Sequence, residues 1–231
     1  MDKIIQFAQS YENAEWVTIT LENTDKTYTV QKALLCQTSD HFSKALRRDS
    51  SMEASEQTAH VPHCTVETFS AFLYWLCHRQ LPDMRSGLEG AHPDIQEGHS
   101  IAHQSLLVLL WSFGHDWEIP ELQNATMNTL LDLLQCTSVA VEAVQLAFER
   151  TGNGSEISEV LASEIYPEIY NKHSSEQKLH ELAAIPGFLS ASLVAARDYH
   201  NLGRDCSSTD DAPSGQRDRS EFMVRERRDG L

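Results

Sequence analysis

Cys36, Ser39, Asp40 and His41 stand within eleven residues, "KALLCQTSDHF" at 32–42. A nucleophile, a base and a carboxylate are the components of a hydrolase. Catalysis needs them adjacent in space, with donors aimed at the developing oxyanion. The local pattern gives each another use. Leu34, Leu35 and Cys36 read as one buried face. Ser39 is placed to cap a helix, and Asp40 and His41 fall on that helix's first turn. A reactive thiol requires an electropositive, partly exposed setting, so Cys36 is read as packing.

A second cluster, "HVPHC" at 60–64, offers His60, His63 and Cys64, with Cys77 and His78 further on. Zinc is the chemistry to consider, but the separation matches neither a finger nor a ribbon. The reading is surface histidines and a small apolar Cys. His99, His103 and His115 are read as solvent-facing. Trp16, Trp75, Trp111 and Trp117 all lie in or near apolar segments and are read mainly as core, with an exposed Trp as an interface anchor the minor reading. No "GxSxG", "HExxH" or Gly-rich phosphate loop occurs. The expectation is therefore no catalytic residue, no metal, no cofactor, and a protein that is not an enzyme.

Charge narrows the partners. The formal net charge is −16. Residues 203–231 hold six basic and seven acidic side chains, so residues 1–202 carry twelve basic and twenty-seven acidic. Such a body repels phosphates, and nucleic acid is not an expected partner. No stretch approaches the roughly 18 apolar residues of a membrane helix, so no membrane is expected. Five cysteines without a pairing pattern, and an N-terminus without a signal-peptide core, point to an intracellular protein, cytoplasmic or nuclear.

The elements that must position these side chains follow from periodicity. Ile4, Ile5, Ala8 and Tyr11 recur at helical spacing as a short amphipathic arm, too short to stand alone. Val17, Ile19 and Leu21 alternate with Thr18, Thr20 and Glu22, and Tyr28 and Val30 alternate likewise after "ENTD", which predicts a β-hairpin. "KALLC" is a short helix, and Phe42, Ala45 and Leu46 share a face of the next. "AHV" near 59–61 is a short strand. A helix follows from a Thr65 cap, with Phe69, Phe72, Leu73 and Leu76 on one stripe. Residues 83–104 lack periodicity and read as a long loop. Helices resume at about 105, again from Pro120, from a Ser138 cap, from Ser155, and from Ser174 paired with Gln177 in a capping box. A last helix covers "FLSASLVAARDYHNL". From Gly203 the composition predicts a disordered tail. Strands first and helices after make an α+β class.

In this order, "VTITLENTDKTYTVQKALLCQTSDHFSKAL" resembles the front half of a BTB/POZ domain. "VETFSAFLYWL" resembles its next helix, and "LLVLLWSFGHDWEIPELQNATMNTLL" its last helical hairpin. "IPELQN" is similar to fungal members of that family, as is the helical stretch that continues to about 200. The sequence departs from the pattern at Gln31, at Cys77–Arg79 and at "GHDW", 114–117. The resemblance implies a BTB/POZ fold over 1–135, containing the loop 83–104, a helical extension over 136–202, and a tail over 203–231. It implies a protein–protein interaction module that pairs with itself through the N-terminal arm and first helix, with Ile4, Ile5, Ala8, Glu15 and Lys32 at the dimer interface. It also implies an alternative, a substrate adaptor of a cullin-3 ubiquitin ligase. There Met52 stands for the hydrophobic residue of the contact motif, although Glu53 and Ala54 are offset from the usual spacing. No Kelch repeat or zinc finger accompanies the domain.

Overall fold

A computed structural model of the chain describes residues 14–22, 24–48, 58–86, 88, 92–170, 175–201 and 219–224. They form a three-stranded sheet and nine α-helices, the α+β class expected. The elements are β1 (Trp16–Leu21), β2 (Thr27–Gln31), α1 (Lys32–Thr38), α2 (Asp40–Arg48), β3 (Thr58–Val61) and α3 (Val66–His78). There follow α4 (Pro93–Asp116), α5 (Pro120–Leu134), α6 (Val141–Thr151), α7 (Glu156–Tyr170), α8 (Glu176–Ala184) and α9 (Phe188–Asn201). Two compact units result. Of the described residues, the first holds those up to Gln80 with Phe113–Ile119, and the second those within Leu81–Ser112 and from Pro120 onward.

In the first unit β1 is the central strand. It pairs antiparallel with β2, Val17 facing Val30 and Ile19 facing Tyr28, and parallel with β3, Ile19 facing Ala59. Val17, Ile19 and Leu21 are buried as the alternation predicts. Ser39 ends α1 in extended backbone, and its Oγ accepts from the N–H groups of His41 and Phe42, starting α2. The same Oγ–H donates to the Trp117 carbonyl at 2.5 Å. Thr65 caps α3 by accepting from the Thr68 N–H. These caps put Phe42, Phe69, Phe72, Trp75, Phe113 and Trp117 into one ring-rich interior. Phe42 stacks on Trp117 at 3.9 Å between centroids, and Phe72 lies 4.9 Å from Phe113.

The second unit is built around aliphatic residues, among them Leu107, Met127, Leu130, Val144, Ile157, Leu161 and Ile165, all fully buried. Helix α4 starts at Pro93, twelve residues before the sequence reading placed it, so the expected loop 83–104 ends by His92. Proline fits the first helical position, and the His92 carbonyl accepts from the N–H groups of Ile95 and Gln96. Residues 93–99 bury almost nothing. A solvent-facing pair of turns has no apolar stripe for periodicity to detect.

Helix α6 starts at Val141 and not behind a Ser138 cap, for its flanking Ala140 has no local side-chain partner. The fully buried Gln104 replaces it. Its Oε1 accepts from the Ala140 N–H, and its Nε2 donates to the Ser138 carbonyl. Glu168 accepts from the Val139 N–H, and Lys178 Nζ donates to both Glu168 and the Val139 carbonyl. The α8 cap is Ser175, accepting from the Lys178 N–H, while Gln177 donates to Glu181. Ser174 lies outside the described residues. Gly187, at φ +87°, starts α9 against Asn153, whose side chain would stand 1.8 Å from an added Cβ.

Residues 219–224 fall within the stretch expected to be disordered, yet Arg219–Phe222 form a 3-10 turn. Phe222, Met223 and Val224 pack against the second unit's core. Three consecutive apolar residues in an otherwise polar tail supply the burial that composition averaged over the whole tail conceals. Among the described residues, no single helix is long and apolar enough to cross a membrane.

Candidate interaction surface

The open end of the hairpin brings Glu15 and Lys32 together. The Lys32 backbone N–H donates to the Glu15 carbonyl at 2.9 Å, and Lys32 Nζ lies 2.8 Å from Glu15 Oε2. The double contact follows from the register, because Trp16 faces Gln31 and the flanking residues are brought opposite one another. The Lys32 ammonium, by hydrogen bond and by charge, holds the Glu15 carboxyl below its ordinary range. Glu15 is largely in solvent, so the pair orients more than it stabilises.

Trp16 lies beside this pair and is 54% exposed, whereas Trp75, Trp111 and Trp117 are buried. Reading all four mainly as core fails for Trp16. The signal was in the alternation: if Val17, Ile19 and Leu21 face inward, residue 16 faces outward with Thr18 and Thr20. An exposed indole suits a contact surface, since it offers large area at low conformational cost. Of the other residues assigned to interfaces, Ile4, Ile5, Ala8 and Met52 lie outside the described residues.

The hydrolase-like cluster is not assembled. His41 Nδ1 lies 3.0 Å from the Asp116 carbonyl, and its ring packs on Trp117 at 5.0 Å. Ser39 is engaged as a cap. Cys36 is half-buried, its carbonyl accepting from Ser43 Oγ. Among the described residues, no hydrogen bond joins Cys36 to Asp40 or His41. Of the Leu34–Cys36 face, only Leu35 is fully buried.

The zinc-like cluster is dispersed too. His60 pairs with Thr20, His63 with Glu22 at 3.0 Å, and His78 with the Tyr74 carbonyl. Cys77 is exposed. Burial pushes the Cys64 thiol up to about 12, so it stays protonated and unreactive near neutrality. No three His, Cys, Asp or Glu side chains come together as a metal site among the described residues.

The second unit carries an open groove of about 1170 Å³, lined by polar residues that include Asp83, Arg85, Gln96, Thr137, Lys178 and Glu181. Its lining also includes the Ser138–Ala140 segment, which Gln104 and Glu168 hold. Arg85 grips Asp83 through Nε and Nη2, which lowers the Asp83 carboxyl and raises the guanidinium from their ordinary values. This surface presents charges of both signs, among them Asp83, Arg85, Lys178 and Glu181.

Residues 7–90 match the family model of the BTB/POZ domain, a family of protein–protein interaction modules. The matched range takes in β1 through α3. No curated protein matches the chain.

Proposed function

We propose that this chain is a non-enzymatic interaction module that pairs with a second copy of itself and recruits a further protein. Pairing uses the arm at residues 3–11, with Ile4, Ile5 and Ala8, and the helix that begins at Lys32. The match over residues 7–90 carries this reading. The exposed Trp16 beside the Glu15–Lys32 pair supports it, because the indole offers apolar area where the resemblance puts the dimer groove. The fungal-type character suggested by "IPELQN" and the helices that follow belongs to the same proposal, as does a cytoplasmic or nuclear location.

Light scattering on the full chain at micromolar concentration tests self-association. The expected mass is twice 26.0 kDa, and Trp16→Ser or Lys32→Glu should shift the population toward monomer. A strict monomer at high micromolar concentration overturns the pairing. The finer alternative is a cullin-3 adaptor contacting through Met52. Capture of purified cullin-3 by the folded chain, lost in Met52→Asp, is its expected result, and no capture rejects it.

A further inference from the structure

Residues 219–224 are held on the second unit by a particular set of contacts. Asn124 of α5 meets Val224 twice. Its Oδ1 accepts from the Val224 N–H at 2.8 Å, and its Nδ2 donates to the Val224 carbonyl at 3.0 Å. One carboxamide thus satisfies both backbone groups of one residue, as a neighbouring strand would. Eight residues along α5, Asp132 Oδ1 receives Arg219 Nη2 at 2.6 Å. Positions i and i+8 lie close to the same helix face, about 12 Å apart along the axis. The segment therefore runs antiparallel to α5 and is gripped at both ends. Phe222 and Met223, between the grips, and Val224, at one of them, pack against the apolar core.

We propose that this face of α5 is a docking site for short protein segments with a cationic residue, two spacers, an aromatic residue and two apolar residues, and that the chain's own tail occupies it in cis. Three observations support a replaceable occupant. Asn124 reads backbone, which every peptide presents. Asp132 and Arg219 are each only partly covered, so their pair is screened. Residues 202–218 tether the segment to α9, and a tethered segment occupies its site without high intrinsic affinity. A partner segment of the same chemistry, supplied in trans, competes for the same contacts.

The probe is a fluorescein-labelled peptide of residues 217–226, RDRSEFMVRE, followed by anisotropy. The host is the full chain carrying Arg219→Glu and Phe222→Ser, which frees the site while leaving α5 untouched. The peptide should bind this host at least tenfold more tightly than it binds the unsubstituted chain. Adding Asn124→Ala to the host should weaken binding at least tenfold, and a scrambled peptide should not bind. Equal binding to both chains, no binding to a folded host, or indifference to Asn124→Ala overturns the proposal. If the doubly substituted chain does not fold, the unsubstituted chain decides. It is cleaved at a protease site placed between residues 202 and 218 and incubated with excess labelled peptide. Exchange of the cleaved tail for the peptide supports the site, and failure to exchange overturns it.

Discussion

The first unit sets a cluster of contacting rings beside the buried aliphatic residues of its sheet, and the second packs mainly aliphatic side chains and holds the start of α6 from afar. In the first, Phe42, Phe69, Phe72, Phe113 and Trp117 contact one another directly, and the helix starts at α2 and α3 are capped by the residue just before each. In the second, the start of α6 depends on Gln104 of α4 and Glu168 of α7, 36 and 29 residues away. The difference concerns where the information for an element sits. A locally capped helix start is specified by nearby residues, even where the rings it positions meet partners as far along the chain as Trp117 is from Phe42. A remotely capped helix needs the tertiary structure to exist before its own end is satisfied.

The largest blow to this contrast is Phe72→Ala. Its ring lies within 6.3 Å of Phe42, Phe69, Trp75 and Phe113, so the cavity opens in the middle of the cluster. A loss of about 3–5 kcal/mol is expected, read by urea denaturation with tryptophan fluorescence. A loss below 1 kcal/mol would mean that the rings do not hold the first unit.

A paired measurement sharpens the contrast between near and remote caps. Gln104→Leu leaves the buried Ala140 N–H and the part-buried Ser138 carbonyl without their partner and should cost about 1–3 kcal/mol. Thr65→Ala removes a local cap and should cost about 1 kcal/mol. Thermal unfolding followed by circular dichroism compares the two. If Thr65→Ala costs more, the remote contact is a minor one.

The smallest effect belongs to Glu159 of α7. Loss of solvent, Glu156 and Asp198 together hold its carboxyl above the ordinary range. A raised carboxyl favours the folded state while protonated, and that contribution is lost as pH rises through the folded-state value. Glu159→Gln should therefore match the unsubstituted chain at acid pH and exceed it in melting temperature near neutrality. Melting curves across pH 4–8 test this, and parallel curves over the whole range reject it.

The same division explains what could be read in advance. The hairpin, the Ser39 and Thr65 caps and the Pro120 start all declare themselves within a few residues. So did the outward position of Trp16, once the alternation of Val17, Ile19 and Leu21 was followed one residue back. The early start of α4 was hidden because its first turns face solvent. The capping role of Gln104 was hidden because a glutamine in an apolar helix gives no sign of which backbone it will meet. The docked turn at 219–224 was masked by the polarity around it. At the candidate surface, Glu15 and Lys32 were named through resemblance and do meet, while the geometry that joins them comes from hairpin register.

Strand β1 has one last consequence, for the order of events in folding. On one side Thr20 faces Thr27, seven residues on; on the other Thr18 faces Thr58, forty residues on. Loop-closure entropy makes the second pairing costlier by about 1.5 kcal/mol. The hairpin can therefore zip early as a local event, and β3 must join late, after α1 and α2 have shortened the path back. Until it does, the β3-facing edge of β1 stays unsatisfied. Crowded synthesis would select for whatever keeps that interval short.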